Sequence, residues 1–240
     1  MRIALLNFSG NVGKTTLARD VLKMRLPTYE LISVESVNSD DKEDLIIKGE
    51  NRNMLLAEIA LNDNLILDIG SSNLEAYFIS SSAEQELLSY IDIFIIPTTP
   101  ETKPQVDTAK TVRSLNDLFN EHKIKDKKIF IVANQVELNS VIPVEEKFEK
   151  LKTKMDAIPF VDFNLECSIE KHDLYSSGKS LAEMFSDEDY KELMEDAKLE
   201  GDREKARKYA YLYANQKNVQ RLNDHYQFIF NYILGDKVAQ

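Results

Sequence analysis

The chain has 240 residues, 43% of them hydrophobic, enough for one α/β domain, or a domain with an appendage, around a sizeable core. Its net charge of −11 argues against a broad nucleic-acid-binding face, which needs concentrated lysine and arginine. The single cysteine, Cys167, excludes an internal disulfide, fits a reducing cytoplasm and reads as a small buried apolar residue, while no apolar run approaches the roughly 18–20 residues of a membrane span.

In chain order, Arg2 to Asn7 reads as a strand followed by a glycine loop, not as a signal peptide. Thr15 to about Arg25 reads as a helix stopped near Pro27. Glu30–Glu35 reads as a second strand, residues 36–52 as a polar loop with a short helical piece, and Asn53 to Ala60 as a helix. Leu65–Ile69 and Ile91 to Ile96 read as buried strands, the latter ended by Pro97, with a helix between them from Asn73 to Tyr90. Glu101 to His122 is a longer helix with Pro104 in its first turn, followed by a strand over Lys128–Ala133 and a helix over Val144–Met155. Phe160 to Leu165 alternates like an edge strand. Beyond Leu181 only helical patterns remain, at Asp187 to Gly201 and Asp202 to Leu234.

Strands alternating with helices predict an α/β fold with a mostly parallel, doubly wound sheet and a helical C-terminal extension. The expected division is a nucleotide-binding domain over residues 1–185 and a helical extension over 186–240 packed on it. The cations from Arg203 to Arg221 alternate with acids and read as a solvated helix face.

The chemistry concentrates in Ser9-Gly10-Asn11-Val12-Gly13-Lys14-Thr15-Thr16, directly after the first strand. A Gly-Lys-Thr between strand and helix is a phosphate cradle: backbone N–H groups and a helix N-terminus face an anion, Lys14 reaches the β- and γ-phosphates, and the Thr15 hydroxyl holds Mg²⁺. Asp68 closes the apolar run Leu65-Ile66-Leu67 and is the expected second metal-site carboxylate, with Gly70-Ser71-Ser72 beside the γ-phosphate. Lys14 and Asp68 are the candidate catalytic residues. Asn134-Gln135-Val136-Glu137 follows a late strand. The shape N-Q-x-E also echoes a guanine-binding N-K-x-D, so both ATP and GTP stay open.

Gly10, Val12, Gly13, Lys14, Thr15 and Thr16 match the K-G-G-x-G-K-T-T loop of ParA/MinD-type ATPases, and the chain resembles that family from residue 1 to about 185. Ser9 stands where the family has its signature lysine and Asn11 where it has its second glycine. The resemblance implies that Asn134 is the candidate base-recognition residue. It also implies a D-x-D-type switch after the second strand. Here Glu35 holds the first acidic position and Val37 the second; Asp40 or Asp41 substituting, or a plain polar loop, are both open. Ile95-Ile96-Pro97-Thr98-Thr99-Pro100-Glu101 and Asp173 to Leu181 resemble two further family segments. N-F-S-G-N-V-G-K-T-T, V-E-S-V-N and L-D-I-G-S-S-N look like the StbB plasmid-stability proteins of conjugative plasmids. That resemblance implies a cytoplasmic, ParA-like ATP-binding switch in plasmid stability, segregation or conjugative transfer. It further implies Mg²⁺, a nucleotide-dependent homodimer and a separate DNA-binding partner protein. With Ser9 uncharged, it implies slow or partner-stimulated hydrolysis. The alternative is a catalytically inert nucleotide-binding adaptor that docks its partner through the C-terminal helices.

Overall fold

The computed structural model describes residues 1–35, 45–48, 52–74, 88–137 and 140–238, which divide into two compact units, Met1–His172 and Asp173–Gln240. The first unit is built on strands β1 (Arg2–Leu5), β2 (Glu30–Glu35), β3 (Leu45–Lys48), β4 (Leu65–Ile69), β5 (Ile93–Thr98), β6 (Lys128–Ala133) and β7 (Val161–Asp162). Among the described residues they form one seven-stranded sheet, ordered β3-β2-β4-β1-β5-β6-β7, with every neighbouring pair parallel. All five residues of β4 and all six of β5 are buried. Burial on both faces is what writes such strands as continuous apolar runs.

Helix α1 begins as Lys14–Thr16 and continues through Leu17–Lys23 with π-type bonding, Met24 N donating to Arg19 O at 3.2 Å. Helices α2 (Arg52–Leu61), α3 (Thr102–Glu121) and α4 (Val144–Met155) complete the described helices of this unit longer than one turn. In α3, Thr108, Thr111, Val112, Leu115, Leu118 and Phe119 are buried, a stripe at helical spacing. Phe148, Leu151 and Met155 do the same in α4.

Two expectations are corrected here. Residues 36–52 contain a strand: β3 pairs with β2 from Ile32↔Leu45 to Glu35↔Lys48. The run Leu45-Ile46-Ile47 is apolar but only three residues long and set among charged residues, so its strand signal is easily passed over. Pro97 does not end β5, which pairs with β6 through Thr98↔Ala133. The β1 ladder stops at Leu5↔Ile95, and on that side the Pro97 carbonyl accepts from Asn7 Nδ2 at 2.8 Å. The missing proline N–H therefore costs no ladder bond. The helix expected from Asn73 to Tyr90 lies mostly outside the described residues.

The strand order reverses at β1: β2, β3 and β4 lie on one side, β5 to β7 on the other. In open parallel sheets the ligand crevice opens at the carboxyl ends of the strands, at such a point. The glycine loop leaves β1 there.

The second unit holds α5 (Leu181–Met184), α6 (Tyr190–Leu199) and α7 (Arg203–Val238). Ser180 and Glu183 form a reciprocal capping box at the start of α5, and the Asp189 carboxylate accepts from Lys191 N and Glu192 N at the start of α6. Gly201, at φ +76, makes the left-handed turn between α6 and α7. Tyr190 stacks on Tyr209 at 6.5 Å, and Gln216 Nε2 donates to the carbonyls of Ser186 and Glu188, pinning α7 beside the entry to α6. Leu222, Tyr226, Ile229, Phe230 and Ile233 of α7 are buried, as their helical spacing predicts. Among the described residues no helix is long and apolar enough to cross a membrane.

Candidate functional site

The strand-to-helix loop takes its shape from left-handed backbone at two positions, Asn11 (φ 56) and Gly13 (φ 91). Asparagine is among the few non-glycine residues that adopt this region readily, so Asn11 keeps the turn where the family template has glycine. Glycine is obligatory at 13: a Cβ there would lie 2.0 Å from Asn134 Nδ2.

Gly10, Asn11, Gly13, Lys14, Thr15 and Thr16 all line one cavity of about 510 Å³. Its opposite wall is Gly70, Ser71 and Ser72, from the turn after β4, with Gln135 from the turn after β6. Val12 is not among the lining residues, and it is 1% exposed. Lys14 is buried and turned into the loop, its Nζ donating to Ser9 O at 3.0 Å. The Thr15 hydroxyl donates to Asp68 Oδ2 at 2.5 Å, joining the predicted metal-site pair between the start of α1 and β4. Asp68 is 1% exposed.

Asn134 stands beside the loop and not on the cavity wall: its Nδ2 donates to Val12 O at 2.8 Å and its backbone N–H to Thr98 O at 2.7 Å. Glu35 ends β2; Val37, Asp40 and Asp41 lie outside the described residues. Sequence reasoning missed three contributors. Gln135 lines the cavity and donates through Nε2 to Asn11 O at 3.0 Å. Asn7 holds the start of the loop. Asn73 donates through Nδ2 to Val34 O at 2.9 Å, a carbonyl that also accepts from Gly70 N at 2.9 Å. The turn after Asp68 is therefore tied to the end of β2. Asn7 lies just past β1 and Asn73 in the turn that follows β4, positions where a short amide can reach freed backbone groups.

Chemically, the arrangement joins backbone donors, one ammonium group and a hydroxyl–carboxylate pair around a space open to solvent. Thr15 and Asp68 are hard oxygen donors, the set that suits Mg²⁺. The donors and Lys14 suit a polyphosphate.

No protein-family model matches the chain, and no curated protein matches it in sequence. Solved structures share its fold. The ATP complex of a McdA point variant from Cyanothece is 14% identical with a TM-score of 0.50, over 92% of this chain and 95% of that one. Apo McdA from Cyanothece is 15% identical with a TM-score of 0.50, over 76% and 92%. MinD of Aquifex aeolicus, a cell division protein, is 17% identical over 73% and 84%, with a TM-score of 0.45. At these identities the likeness is one of fold: a parallel sheet with helices and a helical C-terminal region, as in the ParA/MinD P-loop fold.

Proposed function

We propose that this protein is an ATP-binding, Mg²⁺-dependent switch of the ParA/MinD type, with GTP as the alternative nucleotide. The observation that carries the reading is the Thr15–Asp68 pair set at 2.5 Å beside the Lys14 cradle. Bound there through Thr15 and Asp68, Mg²⁺ would neutralise charge on the phosphate oxygens. Lys14 exchanges the Ser9 carbonyl for a phosphate oxygen, and the loop N–H groups hold the remaining oxygens. Ordering of the Gly70–Ser72 wall by the terminal phosphate passes through the two bonds on Val34 O, which couples occupancy to the carboxyl end of β2.

The biological setting rests on the StbB resemblance: plasmid stability, segregation or conjugative transfer in the cytoplasm, as a nucleotide-dependent homodimer beside a DNA-binding partner protein. The net charge of −11 argues against a broad DNA-binding face on this chain and so favours the partner as the main DNA contact. The domain reading that goes with it keeps residues 1–185 for nucleotide and 186–240 as a helical extension.

A second reading, the catalytically inert adaptor, is favoured by Ser9. It is 5% exposed and carries no charge, so the loop lacks a cation there to stabilise a transition state. Titration of ATP, ADP, GTP and GDP with Mg²⁺, followed by single-turnover phosphate release, tests both. A switch ATPase releases phosphate slowly and loses release in Asp68→Ala. No release from the wild type selects the adaptor, and no nucleotide binding at all overturns the proposal.

A further inference from the structure

We infer that Asn134 and Gln135 are positioning residues of the anion cradle: their side-chain amides hold the carbonyls of Val12 and Asn11 so that the N–H groups that follow face the phosphate site. The inference rests on the phosphate-cradle reading above and extends it to two residues from the far side of the sheet. Asn134 Nδ2 donates to Val12 O at 2.8 Å and Gln135 Nε2 to Asn11 O at 3.0 Å, contacts spanning 122 and 124 residues of chain. No described peptide bond is cis. In a planar trans peptide each carbonyl points opposite to the N–H of the next residue. Pinning the Asn11 carbonyl therefore orients the Val12 N–H, and pinning the Val12 carbonyl orients the Gly13 N–H. Consecutive N–H groups held this way form an anion-binding concavity, and donors fixed before the ligand arrives need no reorganisation on binding.

The turn that carries the two amides is itself built to aim them. Gln135 has φ 56, a conformation that non-glycine residues seldom adopt. It is held from both sides by Asn134 N on Thr98 O (2.7 Å) and Val136 N on Ile169 O (2.9 Å). A strained backbone that its surroundings over-determine is a feature of functional sites. Gly13 completes the fit, since any side chain there would meet the Asn134 amide. Under this assignment the turn after β6 acts on the phosphate end of the ligand, whatever it also does for the base.

The discriminating probe is inorganic tripolyphosphate with Mg²⁺, which has the phosphate chain and no base. Full-length protein is titrated by calorimetry with tripolyphosphate and with ATP, alongside thermal melting of each variant. Gln135→Met keeps the side-chain length and removes the donor; it is expected to weaken both ligands by the same factor, about tenfold for one lost hydrogen bond. Gln135→Lys restores a donor and is expected to recover affinity for both. Asn134→Asp sets a carboxylate oxygen against the Val12 carbonyl and is expected to weaken both ligands further. Should that buried variant not fold, the partly exposed Gln135 pair carries the test. Variants that lose ATP affinity yet bind tripolyphosphate like the wild type assign these side chains to the base and overturn the inference, as does unchanged affinity for both ligands. A wild-type protein that binds neither ligand overturns the cradle reading itself, a separate outcome.

Discussion

Asn7 carries no chemistry of its own, yet it sets the entry to the loop. Fully buried, it donates through Nδ2 to Pro97 O and Thr108 Oγ1, both at 2.8 Å, and accepts from Ser9 N at 2.9 Å. Such a buried amide is tolerated because its polar groups are paired. Phe8, where a general phosphate loop has glycine, donates its N–H to Thr111 Oγ1 at 3.2 Å and lies 4.4 Å beneath Lys110 Nζ. The first limb of the loop is thus tied to α3 and the second to the turn after β6. Cys167 shows the opposite case, a group kept out of chemistry. It is 1% exposed, and burial, with smaller contributions from Asp162 and Glu166, pushes its thiol from 9.0 to about 11. A raised folded-state value means the native protein keeps the proton that the unfolded chain releases. The stability from this group is complete below pH 9.0 and is lost as pH rises to about 11. At about pH 8 a thiol reagent is expected to label Cys167 only after denaturant is added; fast labelling of the native protein contradicts this.

At the scale of elements, α4 depends on Phe148, which is fully buried and meets Phe163 edge-on at 5.8 Å. Phe148→Ala is expected to cost about 3–5 kcal/mol, read as a lower urea midpoint at unchanged slope. A loss below about 1 kcal/mol would show that this helix is not held through that ring. The elements readable from sequence are those whose burial is written locally. The expected spans of β2, β4, β6 and α4 coincide with the observed ones because each strand is a short, mostly apolar segment bounded by polar residues and α4 carries a clear stripe. β3 was passed over because its apolar run, Leu45-Ile46-Ile47, is short and lies within a strongly charged stretch. Pro97 misled because proline breaks a strand only where a ladder needs its N–H. In the site, the cradle residues and Asp68 were legible from motif spacing. The Asn134 and Gln135 clamps were not, since amide-to-carbonyl contacts over 122 and 124 residues leave no local pattern.

Across the whole molecule, charge and architecture agree. A net charge of −11 argues against a broad basic surface, while Gly10, Asn11, Gly13, Lys14, Thr15 and Thr16 line one cavity at the point where strand order reverses. Everything proposed for function depends on that cavity gripping a polyphosphate. The most direct test is calorimetric titration of full-length protein with ATP and Mg²⁺, wild type beside Lys14→Ala. Saturable binding that falls about a hundredfold or more when the ammonium is removed is the predicted result, in keeping with the loss of a buried charge-assisted contact. Equal affinity in the two proteins, or no heat from either with the fold intact, would contradict it.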